Sequence, residues 1–572
     1  MFSTFDILLA RLQPAFDQID PGADPVLRPS DRSDYQVNGV MALAKKLGRN
    51  PRELAGELLD QLDIADLASL DVAGPGFVNL TLTTEFIDRQ LRALISDERL
   101  GVATATLPKT VVIDYSHPNV AKEMHVGHLR STVIGDALRR MYEFSGARVI
   151  ARNHIGDWGT PFGMLIEHLL DLGEDEAIAS LSIGDLESFY RAARAKFDDD
   201  PVFRERSRRR VVELQGGDRA TLRLWQILVD QSVLYFDEVY RKLDVELTPA
   251  EVVGESFYND RLDDVVADLD RLGLLVESDG AQCVFPPGFS NREGEPLPLI
   301  VRKSDEGYGY AATDLAAVRD RVANLHADEI LYVVGATQSQ HFAMIFATAR
   351  LAGWLPDSVR CEHVPFGNVL GTDRKMFKTR RGQTVKLVSL LDEAIDRADE
   401  AISERDSGLD GDARRQLATL VARAAVKYAD LSTERIRDYI FDLDRMLAFE
   451  GDTGPYLDYA HARVRSIFRR LDAPWVPGPS AFHLATTAER QLALGLLGFP
   501  EAFESALSLW APHRLCAYLF DLAQRFTTFY EACPVLSAPG ELREERLNLC
   551  DLTARTLRLG LSLLGIEAPE RM

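Results

Sequence analysis

The run Asp114-Tyr-Ser-His-Pro-Asn-Val-Ala-Lys-Glu-Met-His-Val-Gly-His128 decides how this chain folds. Before it, Thr110-Val-Val-Ile-Asp-Tyr115 is short and apolar, as a strand buried on both faces requires. After it, Leu129, Val133, Ala137, Met141 and Phe144 recur at spacings of three and four. That period lines one face of a helix, expected from Gly127 to Phe144, and Gly146 ends it. Ala147–Arg152 reads as a second strand and Pro161–Leu172 as a second helix. This β-α-β-α order predicts a parallel, doubly wound sheet that takes ligands beyond the carboxyl ends of its strands. The pattern returns at Glu329–Val334 (strand), Gln340–Leu351 (helix) and Arg360–Phe366 (strand).

The quoted run therefore sits where such a sheet binds its ligand. A helix N-terminus offers free N–H groups and positive dipole to a phosphate. His125 and His128 are three apart and share one face of the first turn, and Gly127 lets a nucleotide approach the backbone. A bare HxxH fits a metal pair or two capping histidines equally well. The strand–loop–helix setting is the place where a parallel sheet takes its ligand. No Walker loop or GxGxxG opens a helix here, so the phosphate-binding solution is a different one.

Working outward, residues from roughly 175 to 300 are charged and mostly helical in pattern, an insertion within the nucleotide-binding fold. Residues 1–100 read as an α+β unit, with helical periodicity in Phe5–Leu12, Val40–Leu47 and Leu54–Leu62. The turn Gly74-Pro-Gly76 then leads into the strand pattern that ends at Leu82. The sheet domain is expected over 101–380, a helical connector over 381–440 and a helical bundle over 441–572. Arg405–Gly411 and Asp472–Ser480 are loops by composition.

At 572 residues the chain has room for several cores, and 46% apolar with 27% charged residues is ordinary for a globular protein. The net charge of -23 argues against loose binding to any polyanion, although local basic patches remain able to meet phosphates. Cys283, Cys361, Cys516, Cys533 and Cys550 are scattered and form no CxxC, so structural zinc is not expected. They read as reduced, buried thiols of a cytoplasmic protein. Met1–Ala10 lacks the basic start of a signal peptide, and no apolar run is long enough for a membrane span.

Lys375-Met-Phe-Lys-Thr379 follows the strand expected to end at Phe366, and resembles the lysine loop (KMSKS) of class I aminoacyl-tRNA synthetases. Phe377 and Thr379 replace its serines. Ser116-His-Pro-Asn119 and Val126-Gly-His-Leu-Arg-Ser-Thr132 resemble the arginyl-tRNA synthetase form of the first motif. Asn153-His-Ile-Gly-Asp-Trp-Gly-Thr160, Tyr310-Ala-Ala-Thr-Asp314, Gln338-Ser-Gln-His341 and Gly367-Asn-Val-Leu-Gly371 resemble the same family. So do Gly454-Pro-Tyr-Leu-Asp-Tyr-Ala-His-Ala-Arg463 and the terminal Glu570-Arg-Met572.

The resemblance implies a multidomain α/β chain with a class I Rossmann-type catalytic domain, an N-terminal α+β tRNA-binding domain and a C-terminal all-α anticodon-binding bundle. Its substrates would be L-arginine, ATP with Mg2+ on its phosphates, and tRNA(Arg), and the chain would act as a monomer away from membranes. His125, His128, Lys122, Lys375 and Lys378 would serve the triphosphate, with Lys122 taking part of the lysine loop's role. Gly127, Gly156, Asp157, His363 and Val364 would hold the rest of ATP. Asp114, Ser116, Asn119, Tyr310, Asp314 and Gln338 would surround arginine, because a planar guanidinium with five donors suits carboxylates. Phe77 and Asn79 would meet the tRNA elbow. Tyr456, Tyr459, His461, Arg463 and Met572 would lie near the anticodon. Trp158 reads as core packing, and Asp314 also fits a helix cap. A small-molecule nucleotidyltransferase, which shares HxGH, and a catalytically silent RNA-binding relative are the competing readings.

Overall fold

The computed structural model describes residues 3–572 other than 177, 179–185, 305–306, 376, 378–384, 405–408 and 479–480. Lys378 and Thr379, and parts of the two expected loops, lie outside the described residues. The chain divides into two compact units. One is Ala105–Ala448 with Leu563–Ile566, and the other is Met1–Thr104 with Phe449–Ser562 and Glu567–Met572.

The first unit is built on four parallel strands, in the order Arg360–His363, Glu329–Tyr332, Thr110–Asp114 and Arg148–Arg152. Val111, Val112 and Ile113 are fully buried, as an apolar run covered on both faces demands. The register sets Asp114 opposite Tyr332 and Arg152, and Tyr332 opposite His363. These residues form one row at the carboxyl ends. The chain leaves the Thr110–Asp114 strand toward one neighbour first and adds the other later. Its carboxyl end is therefore a topological switch point, where a crevice opens. The helix after it, Val126–Ser145, buries Leu129, Val133, Ala137 and Met141 and ends at a left-handed Gly146.

The insertion contains the expected helices, among them Leu186–Asp199, Pro201–Gln215 and the 25-residue Arg219–Leu243. It also carries an antiparallel sheet that the sequence did not announce: Val276–Ser278, Ala281–Val284 and Leu299–Arg302. Strands of three and four residues are too short to show a period. Past the sheet, Val369–Leu370 pairs in parallel with Tyr439–Ile440, a strand within a stretch that reads as helical. Leu387–Glu404 and Gly411–Leu431 form the helical connector.

In the second unit the antiparallel strands Leu27–Pro29, Tyr35–Val37, Phe77–Leu82 and Ala68–Ala73 form one sheet, in that order. The two ends of the chain, expected as separate domains, share this unit. Arg490 donates to Asp34 at 2.5 Å, Phe482 N–H to Asp88, and Arg555 to the carbonyls of Ile95 and Asp97. Among the described residues no helix is long and apolar enough to cross a membrane.

Candidate active site

The loop after Asp114 is held in an unfavourable backbone shape. Ser116, His117 and Ala121 have φ of 84°, 54° and 58°, a region costing non-glycine residues about 1–3 kcal/mol each. Several elements enforce it. Ser131 accepts from Ser116 N–H and donates to Val333 O at the end of the neighbouring strand. Asn153 Oδ1 accepts from His117 N–H, while its amide donates to the Tyr240 hydroxyl. Val120 N–H reaches Gly156 O, and Ala121 N–H reaches Ser232 Oγ. Tyr240 and Ser232 belong to the long insertion helix, so the insertion braces the loop from behind.

The two histidines of the motif cap their own helix. His125 is the N-cap residue and its Nδ1 accepts from Gly127 N–H at 3.0 Å. His128 Nδ1 accepts from His125 N–H at 3.0 Å, and the rings lie 4.0 Å apart. A Cβ at position 127 would stand 2.7 Å from the His125 ring, so glycine is required there by the histidine itself. Burial lowers both imidazoles, His128 to about 3, with His125 and His117 adding to the effect on His128. Both rings are therefore neutral near pH 7. Since each Nδ1 accepts, each proton sits on Nε2, which leaves two Nε2–H donors beside a helix N-terminus. Capping and ligand contact, alternatives in the sequence, are compatible here because they use different ring nitrogens.

Three carboxylates gather beyond the strand ends. Asp114 is 1% exposed, with Oδ2 2.5 Å from Arg321 NH2 and Oδ1 2.8 Å from His117 Nε2. Burial alone would raise its carboxyl, but Arg321 and His117 hold it far below the ordinary carboxylate range. Asp314 lies within the Tyr310–Ala323 helix, one turn past Tyr310 and too far from the helix start to cap it. Its Oδ2 meets His341 Nε2 at 2.6 Å. The third is Glu255, which the sequence reading missed. Burial, then the negative charges of Asp157 and Asp314, push its carboxyl up to about 8, against a hydrogen bond from the Trp158 backbone. His154, lowered mainly by burial against the opposing charges of Asp114 and Asp314, stacks on Tyr258.

Other expected residues fall in different ways. Asn119 is exposed, and its Oδ1 fills the space a side chain at 156 would need. Tyr310 is 76% exposed and Gln338 is exposed at the start of the Ser339–Leu351 helix. Lys122 and Lys375 are exposed, whereas Lys378 lies outside the described residues. Phe377 packs on Phe441 with ring centres 5.2 Å apart. Ser116 is corrected: its hydroxyl is buried, 2.7 Å from Tyr240 and 2.9 Å from Thr132, and the next side chain, His117, meets Asp114 instead. Both oxygens of Asp157 are taken by Ser256 N–H and Oγ, so its carboxylate is not open to a nucleotide. Trp158 packs edge-on against Trp225, as core packing implies. His363 Nε2 bonds Val334 O and its ring stacks on Phe342, while Val364 is fully buried and its N–H bonds Tyr332 O.

In the second unit, Phe77 and Asn79 are half-buried on one strand, and Asn79 Oδ1 accepts from Gln36. Tyr459 is 43% exposed, Tyr456 packs edge-on against Phe520, and Arg463 lies over Tyr530. Met572 is half-buried. His461 is corrected: it is 1% exposed and its Nδ1 bonds Pro569 O, which pins the terminal segment.

Glu255, Arg321 and His341 carry no local sign of function. Each lies far along the chain from the residues it meets, and only the Gln338–His341 run touched one of them.

Comparison with known proteins matches this organisation. The family model described as tRNA synthetases class I (R), catalytic domain, covers residues 90–443. The arginyl tRNA synthetase N terminal domain covers 6–82, and the DALR anticodon binding domain covers 457–572. The arginine–tRNA ligase of Thermobifida fusca is 55% identical over 96% of this chain and 95% of its own. That of Streptomyces avermitilis is 52% identical over the same shares. Among solved structures, the arginyl-tRNA synthetase of Plasmodium falciparum has a TM-score of 0.86 at 29% identity, covering all of both chains. That of Thermus thermophilus has 0.81 at 28%, covering 99% of this chain and all of its own. Relatives this similar over this much of the chain leave one family, and the chain belongs to the arginyl-tRNA synthetases, class I enzymes with arginine–tRNA ligase activity.

Proposed function

We propose that this chain makes arginyl-tRNA(Arg) in two steps, with its side chains acting by position and charge. Arginine's carboxylate attacks the α-phosphorus of ATP and pyrophosphate leaves. A hydroxyl of the tRNA's terminal adenosine then takes the arginyl group from the adenylate. Neither step needs a protein nucleophile. The neutral Nε2–H groups of His125 and His128 donate to the phosphates at a helix N-terminus, where they bring no proton of their own to titrate. Gly127 and Gly156 make room for the His125 ring and the Asn119 amide on the ATP side of the site, and the strand end at His363 and Val364 receives the adenine. Lys122, Lys375 and Lys378 meet the charge that builds as pyrophosphate departs.

The observation that carries the amino-acid assignment is the cluster of carboxylates at Asp314 and Glu255, with Tyr310 one helical turn from Asp314. Burial, and after it the charges of Asp157 and Asp314, push the Glu255 carboxyl up to about 8, the mark of a site short of one cation. A guanidinium supplies it, between Asp314 and Glu255, with Tyr310 alongside. Asp114 already has Arg321 as counter-ion, so it orients His117 and the loop rather than meeting the guanidinium. Asn119, His117 and Gln338 are left for arginine's amino and carboxyl ends. Aminoacylation of total tRNA with each of the twenty amino acids tests the reading: arginine alone should be attached efficiently.

Magnesium would arrive on the ATP phosphates and neutralise part of their charge. Among the described residues there is no group of three or more His, Cys, Asp or Glu suited to a metal. Exposed Tyr459, with Arg463 one turn on, suits an unstacked base, and Tyr456, Met572, Phe77 and Asn79 complete the proposed RNA contacts. We assign the protein to the cytoplasm as a monomer. Its five buried free thiols and its role in translation support that compartment.

A further inference from the structure

Lys122 is exposed just before the HVGH run, and its positive charge acts on both His125 and His128. A lysine there faces a physical difficulty. Its four-carbon stem rotates freely, and the orientations it explores must be surrendered when it engages a phosphate.

The insertion supplies a restraint. The Lys122 ammonium lies 4.9 Å from the centre of the Tyr190 ring. Tyr190 sits in the Leu186–Asp199 helix, whose buried face is Leu186, Phe189 and Ala193. Phe189 packs against His168 of the Pro161–Leu172 helix at 4.8 Å, so the insertion helix is anchored to the catalytic body. Glu187, one turn before Tyr190, shares its face and acts electrostatically on His125. One helical face thus touches the lysine and acts electrostatically on the first histidine of the motif.

We infer that Tyr190 is a positioning residue: its ring face takes the Lys122 ammonium and holds it beside the HVGH helix N-terminus, ready for the triphosphate. The contact is a cation–π interaction and depends on the ring, not on the hydroxyl. It matters more in this chain because Phe377 stands in the lysine loop where a serine is usual and is packed against Phe441. The inference rests on Lys122 serving the phosphates.

The test is tRNA-dependent pyrophosphate exchange with Tyr190→Leu, Tyr190→Phe, Lys122→Ala and the Tyr190→Leu/Lys122→Ala pair, each checked by its melting curve. Tyr190→Leu should lower kcat about three- to tenfold with arginine KM unchanged. Tyr190→Phe should stay within about twofold of the parent, because the ring face is kept. In the Lys122→Ala background, Tyr190→Leu should cost less than about twofold more. If Lys122→Ala is slow but Tyr190→Leu is not, Tyr190 has no such role. Equal losses in Tyr190→Phe and Tyr190→Leu, or full additivity in the pair, would overturn it too. A Lys122→Ala enzyme at the parent rate would instead remove the phosphate assignment on which the inference stands.

Discussion

Asp114→Asn and Asp314→Asn change the same atom in the same way and should fail differently. Asp114 is 1% exposed and is the counter-ion of Arg321, which is itself 1% exposed. Arg321 also lies over the Tyr332 ring at 4.6 Å, but among the described residues two of its guanidinium nitrogens have no hydrogen-bond partner, so the pair has little in reserve. Neutralising Asp114 strands a buried cation, which costs about 3–5 kcal/mol of folding stability. Asp314 has a side chain one-fifth exposed and, among the described residues, is ion-paired with His341 alone. Its loss should spare the fold and remove one carboxylate from the guanidinium. In that partly wetted setting the loss is about 2–3 kcal/mol, the lower part of the range for a buried charge pair losing a partner. That corresponds to about a 30- to 150-fold fall in kcat/KM for arginine. Thermal melts and tRNA-dependent pyrophosphate exchange, with arginine, lysine and citrulline in competition, separate the two effects. Asp314→Asn should melt with the parent and narrow the preference for arginine over uncharged citrulline, while Asp114→Asn should melt earlier. An Asp314→Asn enzyme with arginine kcat/KM within twofold of the parent, or an Asp114→Asn enzyme of unchanged stability, would refute the division between them.

Glu255 sets a pH dependence. Its carboxyl is protonated below about 8 in the free enzyme, and the guanidinium favours the ionised form, so arginine binding near pH 7 should release about one proton. Arginine KM should fall as pH rises from 6.5 to 8.5, and Glu255→Gln should abolish both the slope and the proton release seen by calorimetry in buffers of different ionisation enthalpy. His125→Asn keeps a side chain suited to the N-cap but loses the Nε2–H donor, so it should melt normally yet form adenylate about 10²- to 10³-fold more slowly. A parent-like rate would reduce His125 to a cap. His128 is lowered from 6.5 to about 3 by burial, so its stabilising effect is complete above 6.5 and is lost as pH falls toward 3. At pH 5 the cost is about 2 kcal/mol, and His128→Gln should lose less melting temperature between pH 7 and pH 5 than the parent does.

Local order was legible wherever a segment's own residues decide it. The Pro161–Leu172 helix, the Val111–Ile113 run and the Gly146 stop follow from periodicity and backbone chemistry, and so does the placement of His125 at a helix start. The family could be read because its motifs are contiguous and their order along the chain is itself information. What only the tertiary structure decided are pairings between distant segments and the direction in which a side chain points. Ser116 and His117 are adjacent in sequence, yet left-handed backbone angles turn one hydroxyl toward Tyr240 and send the other side chain to Asp114. Asp114 and Asp314 look alike as carboxylates until Arg321 neutralises one and His341 takes the other. Glu255's carboxyl is raised by burial and by the charges of Asp157 and Asp314, and His461 loses its access to RNA by binding Pro569. Charge and burial are properties of a position in space, and a string of residues specifies them only after the chain has brought its remote parts together.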